Sequence, residues 1–208
     1  MTVERWTPER RRQLTRDALV TSARQVFARR GFHAASLEEI AEAAGFTRGA
    51  VYSNFENKEE LFFAVLDRHM ELQLAAFQDF FEQAGGPDAA GNTDVVRVWR
   101  RLSGGEDAEW IALSLEFRLY ALRNPDVRER FVARYHANRD AVVAYLTEVI
   151  AELESKPVIS LTDLAAVVDW GAGGIIELGH IDPSQAHVLD TFLEVINHGA
   201  FGATPTTA

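Results

Sequence analysis

Apolar residues recur along the chain at three- and four-residue spacing, in segments marked off by glycine, proline and capping residues. No run alternates convincingly with the two-residue period of a strand, so the pattern predicts an all-α protein of about nine helices. It is sharpest from Ser36 to Phe62. Ser36 with Glu39 three residues later forms a capping box, which satisfies free N–H groups at a helix start. Leu37, Ile40, Ala41 and Ala44 then line one apolar face. Gly45 stands where a helix needs a residue at positive φ to stop, and Thr47 offers a hydroxyl to cap the next one.

That next helix spans Arg48 to about Asn54. A helix of two turns does not recover its nucleation cost in water, so its place must come from packing. Val51 and Phe55 face one way, whereas Arg48, Gly49, Tyr52 and Ser53 fall elsewhere on its surface. Ala41 is small enough to let the two helices cross closely. The combination predicts a helix-turn-helix, whose second helix enters the DNA major groove and reads base edges from its N-terminal end.

The flanking pattern supplies the rest of the architecture. Thr7-Pro8-Glu9 predicts the start of a first long helix ended by Gly31, with Arg10, Arg11 and Arg12 forming either a solvated face or an arm that reaches phosphate. Asn57 caps a helix with an acidic first turn that runs to about Gln83. A loop from Gly85 to Asn92 precedes a short helix from Thr93 to about Leu102. Glu106–Arg123 is apolar on nearly all sides, which predicts a buried helix, and Asn124-Pro125-Asp126 caps and starts the next one, to about Leu153. Ser160 caps a segment carrying Gly171, Gly173, Gly174 and Gly179, each costing about 1 kcal/mol against alanine in a helix. Close approach of another helix would compensate, with a nearby ligand or a kink as alternatives. Asp182-Pro183 predicts the start of the last helix, closed by Gly199 after His198, and GATPTTA reads as a frayed tail.

Composition narrows the setting. The chain has 208 residues and no cysteine, which excludes disulfides and thiolate metal sites and fits a reducing cytoplasm. The first residues lack the apolar core of a signal peptide, and no run reads as a membrane span, so a soluble protein is expected. Net charge is −10, yet residues 1–55 hold nine arginines against six carboxylates. That end is therefore +3 and the remainder −13. A basic end on an acidic body can bind phosphates locally while the bulk avoids unspecific contact.

The run LEEIAEAAGFTRGAVYSNFENKEELF resembles the DNA-binding signature of the TetR family of bacterial transcriptional repressors. Its specific part is Ala44 to Leu61, with Val-Tyr-x-x-Phe followed by Asn-Lys-Glu-Glu-Leu. The resemblance implies a homodimer formed through the last two helices, with a small-molecule pocket among the middle ones. It implies a DNA-binding domain at 1–57, a ligand-binding and dimerisation domain at 58–202 and a flexible tail at 203–208. It places Thr47, Arg48, Gly49 and Ala50 at base edges, and Ser36, Tyr52, Asn54 and Lys58 at phosphates; many relatives carry an aromatic residue or histidine where Asn54 stands.

Arg48 has a planar fork suited to guanine O6 and N7, a pairing that discriminates bases by about 1 to 3 kcal/mol. The candidate ligand-binding residues are Trp99, Trp110, Phe117, Tyr120, Tyr135 and Trp170, with Glu116, Arg118, Arg134 and Asp169 as possible polar anchors. Aromatic residues at helical spacing are more often plain core, and the four charged ones more often solvated or ion-paired. Glu177, His180 and His187 lack the ligand count of a dedicated metal site, and the glycines of WGAGGI follow a helical run rather than a strand. No metal, cofactor or catalytic constellation is expected. The reading is a ligand-responsive repressor that binds a near-palindromic operator as a dimer and is released by a small hydrophobic or aromatic effector. The alternatives are a same-fold activator, a regulator without a ligand, and a helical carrier or enzyme.

Overall fold

The computed structural model describes residues 7–83, 108–151 and 157–201. Among them are eight α-helices, one 3-10 turn and no strand. The helices are α1 (Pro8–Ala34), α2 (Leu37–Ala43), α3 (Arg48–Asn54), α4 (Lys58–Gln83), α5 (Ala108–Arg123), α6 (Pro125–Ala151), α7 (Leu161–Ile181) and α8 (Val188–Phe201). The expected helix at Thr93 to Leu102, the loop before it and the tail lie outside the described residues.

Local chemistry sets the N-terminal boundaries. Thr7 accepts from the Arg10 N–H at 3.2 Å, with Pro8 at the first helical position. Gly31, at φ 76° and ψ 163°, breaks α1 so that Phe32 turns into the core. Ser36 and Glu39 make the reciprocal capping box, at 3.1 Å in each direction. Gly45 sits at φ 73° and ends α2, with the Phe46 N–H donating to the Ala41 carbonyl at 2.9 Å. Thr47 caps α3 through the Ala50 N–H, and Asn57 caps α4 through the Glu60 N–H at 2.8 Å.

The chain divides into two compact units. The first takes Met1–Glu71 with Glu109–Phe131. Its core joins Phe27, Phe32, Val51, Phe55, Phe62 and Phe117, with the Phe62 and Phe117 rings stacked at 3.9 Å. Full burial of each such side chain contributes roughly 1.5 to 3 kcal/mol. Contrary to expectation, α5 is not buried all round: Trp110, Ile111, Leu113 and Phe117 are covered, but Leu115, Leu119 and Leu122 are exposed. An apolar composition does not reveal that only one side of a helix meets neighbours.

The second unit takes Leu72–Ala108 and Val132–Ala208. Here α7 packs on α8 through Leu164, Val168 and Leu193. A Cβ at Gly171 would overlap the Phe192 ring, so this glycine answers to close approach, whereas Gly173 and Gly174 have nothing nearby. Three expectations need correction. Asp182 and Pro183 start only a 3-10 turn, Pro183–Gln185, because Asp182 spends its carboxylate on the N–H and hydroxyl of Ser184; α8 begins at Val188. Gly199 does not close α8, which continues to Phe201 because Ala200 is buried and its carbonyl accepts from the Val158 N–H at 2.7 Å. Finally, Leu161–Ile181 is long and apolar enough to cross a membrane by length and composition. Its glycines and alanines dilute the apolar signal to the eye, while Asp163, Asp169 and Glu177 interrupt the run.

Gly31 is the backbone position with least latitude. A Cβ there would lie 2.5 Å from Oε2 of Glu116, in a φ/ψ region open essentially to glycine alone. Gly31→Ala is expected to lower stability by at least about 1 to 3 kcal/mol, measured by denaturant unfolding.

Candidate DNA-binding site

α3 is held at both ends and along one side. Val51 and Phe55 are fully buried and fix its inner face. At its C-terminus Arg12 Nη2 donates to the Ser53 carbonyl at 3.3 Å and Arg16 Nη1 to the Asn54 carbonyl at 2.8 Å. Cations at the end of a helix also meet the negative end of its dipole. The Arg16 guanidinium lies 4.2 Å from the centre of the Phe55 ring. At the N-terminus, Glu38 of α2 forms an ion pair with Arg48 at 2.8 Å. The Arg48 Nη2 donates to the Tyr52 hydroxyl at 3.2 Å, and that bond, then the Glu38 charge, raises the guanidinium pKa above its ordinary value.

The outer face of α3 is therefore Thr47, Arg48, Gly49, Tyr52 and Ser53, all exposed, with Ala50 partly covered. Tyr52 does not complete the small core; it stands out from it. Among the described residues the Thr47 and Tyr52 oxygens only accept, which leaves both hydroxyl hydrogens to an outside acceptor. At Gly49 an added Cβ would meet only the Thr47 hydroxyl, at 3.8 Å, so another backbone can approach.

The remaining candidates are differently engaged. Ser36 gives both its N–H and its hydroxyl to the Glu39 carboxylate, which Arg30 first and then the Ser36 N–H hold below the ordinary carboxylate range. Asn54 turns its amide back onto the Ala50 carbonyl and the Ser53 hydroxyl. Lys58 donates to the carbonyls of His33 and Ala35 at 3.0 and 3.1 Å and lies 4.9 Å from the centre of the Phe32 ring. An ammonium has three donors, so one remains. Sequence reasoning missed Arg16 and Glu38. Their partners lie 38 and 10 residues away respectively, and no spacing rule links either pair, although Glu38 falls within the signature run.

The ligand candidates separate. Trp110, Phe117 and Tyr120 pack in or against the core of the first unit, with the Tyr120 hydroxyl donating to Glu59 at 2.8 Å. Glu116, a suggested polar anchor, instead accepts from the backbone N–H groups of Phe32 and His33. Tyr135 and Trp170 meet in the second unit with ring centres 5.4 Å apart. Burial, then the Asp169 charge, raises the Tyr135 pKa; its buried hydroxyl lies near Asp169 and Trp170 without hydrogen-bond geometry to either. Trp99 lies outside the described residues.

This geometry is a helix-turn-helix with its second helix offered outward, and residues 19–65 match the profile of the bacterial regulatory proteins of the tetR family. Residues 19–65 carry the DNA-binding domain of the TetR family. The chain is 45% identical over 56 residues to the HTH-type transcriptional activator FasR of Mycolicibacterium smegmatis, covering 27% of this chain and 26% of that one. It is 28% identical over 134 residues to the HTH-type transcriptional repressor AcnR of Corynebacterium diphtheriae, covering 64% of each. The chain thus spans between about a quarter and two thirds of these curated relatives. The likeness in fold extends further: Salmonella enterica GusR superposes over 96% of this chain and 100% of its own, with a TM-score of 0.67 at 24% identity.

Lys58→Met keeps the side chain's stem but leaves two carbonyls without their donor. It is expected to lower stability by about 1 to 2 kcal/mol in thermal unfolding, alongside any loss of DNA affinity.

Proposed function

We propose that this chain is a homodimeric transcriptional repressor of the TetR type that binds a near-palindromic operator and is released by a small hydrophobic or aromatic effector. The observation that carries the reading is α3, fixed at both ends yet exposing Thr47, Arg48, Gly49 and Tyr52. In the proposal Thr47, Arg48, Gly49 and Ala50 face base edges, while Tyr52 and the last N–H of Lys58 meet phosphates. Ser36 and Asn54 reach phosphate only by releasing their internal bonds. The head of 1–57 works with a body of 58–202, in the cytoplasm where operator DNA lies.

Dimerisation draws support from α7. Val167, Gly174, Leu178 and Ile181 share one face by helical spacing; Leu178 and Ile181 are 59% and 77% exposed. Val195 of α8 is exposed too. A second copy covering that face would bury it, and Gly174 would allow close helix approach. The two α3 helices would then enter successive major grooves about 34 to 36 Å apart. Trp170, 54% exposed and beside Tyr135, supports an aromatic effector in the body. An effector that favours another separation of the heads lowers affinity, because both half-sites cannot be met together.

A gel shift at moderate salt on duplexes from the protein's own promoter region tests the reading. A sequence-specific shift that weakens steeply with added salt is expected, and its absence sinks the proposal. Arg48→Ala should relax preference at one base position per half-site by about 1 to 3 kcal/mol. Sedimentation should show a dimer that Gly174→Leu converts to monomer; a monomeric wild type would remove the dimeric part. A promoter fusion that loses expression on deletion of the protein would replace repression by activation.

A further inference from the structure

Glu38 and Arg48 face each other across the turn of the helix-turn-helix. Glu38, second residue of α2, places Oε1 2.8 Å from Nε of Arg48, first residue of α3, with side-chain exposures of 49% and 63%. Tyr52, one turn along α3, accepts from Nη2 of the same guanidinium, whose carbon lies 5.3 Å from the centre of the Tyr52 ring. Such an exposed ion pair contributes little to stability. Its consequence lies in the pose of Arg48. An arginine left loose must be ordered on binding, at a cost in rotamer entropy; this one is ordered beforehand.

The pose also selects how the arginine can bond. A guanidinium has a side fork, Nε with Nη2, and a tip fork, Nη1 with Nη2. Glu38 occupies Nε, which closes the side fork, and no described residue bonds to Nη1. Tyr52 takes one N–H of Nη2, so the tip keeps both N–H groups of Nη1 and the other of Nη2, donors that suit O6 and N7 of guanine. A second effect follows from charge. Near a duplex the strongest competitor for an exposed arginine is a phosphate, and an arginine captured there carries no sequence information. The Glu38 carboxylate attracts the guanidinium and is itself repelled by phosphates.

We propose that Glu38 is a specificity-determining positioning residue, which holds the Arg48 guanidinium tip-forward for a single base and away from the phosphate backbone. The inference rests on the DNA-binding reading above. Its test is selection from a randomised duplex library by the full-length protein, comparing wild type, Glu38→Ala, Arg48→Ala and the double variant. Arg48→Ala should lose preference at one base position per half-site by about ten-fold or more. Glu38→Ala should lose preference at that same position, without a fall in affinity for non-cognate duplex and without a shift in melting temperature. The double variant should do no worse than Arg48→Ala alone, as expected of residues that act through one contact.

Wild-type preference in Glu38→Ala at the position that Arg48→Ala loses would overturn the proposal. So would loss at a different position, which would make Glu38 a base reader in its own right, or losses that multiply in the double variant. Failure of the wild type to enrich any sequence would remove the DNA-binding reading itself, which separates the two.

Discussion

A carboxylate and an ammonium grip the end of α1 beyond its break at Gly31, together with Ala35, which leads on to α2. Glu116 of α5 accepts from the N–H groups of Phe32 and His33 at 2.9 and 3.1 Å, and Lys58 of α4 donates to the carbonyls of His33 and Ala35. The break at Gly31 creates the need, because residues that leave a helix lose its internal bonds, and buried backbone groups are costly when unpaired. Glycine is required there twice over, for its φ and because the Glu116 carboxylate occupies the space of a Cβ. With the connection held, Phe32 can enter the core against Phe27, Phe62 and Phe117, and α2 starts where its capping box can form. The packing of α2 then sets the crossing on which α3 depends.

Internal bonds also revise the electrostatics of the N-terminal end. A balance of +3 over residues 1–55 suggests many cations free for phosphates. Yet Arg12 and Arg16 are bonded to carbonyls of α3, Arg30 to Glu39, and Arg48 to Glu38. Bonds to carbonyls leave the charge in place, so the field at the surface persists. What they remove is freedom: these side chains hold α3 rather than sweep the solvent around it. Affinity in such an arrangement comes from long-range potential and a few well-placed donors, which favours precision of the outer face of α3 over the number of contacts.

Much of this was legible in the sequence wherever the cause was local. Ser36 with Glu39, Gly45, Thr47 and Asn57 act through neighbours three to five residues away, and each boundary they predicted stands in the structure. The inward turn of Val51 and Phe55 follows from helical spacing alone. Partners set by tertiary approach were not legible. Nothing in the order of residues says that Glu116 reaches across 84 positions to Phe32, or that Lys58 faces carbonyls as well as solvent. Asn54 illustrates the same limit: its type suits a phosphate contact, and only its rotamer shows the amide folded back on α3. Asp182-Pro183 failed for a different reason, since a start signal fixes one turn and what continues it depends on burial beyond.

The glycines of α7 show how one composition can hold two physical causes. Gly171 lies under Phe192, and an alanine there would force that ring aside, so its cost in helix propensity is offset by the packing it permits. Gly173 and Gly174 have no such neighbour among the described residues. Their cost stands uncompensated in a single copy, on a helix whose outer face also exposes Val167, Leu178 and Ile181. An apolar stripe and a backbone laid open at its centre are what a second helix needs in order to approach closely. In the proposed dimer the local penalty and the exposed area have one remedy, because the contact that covers the stripe is the contact that the missing side chains allow.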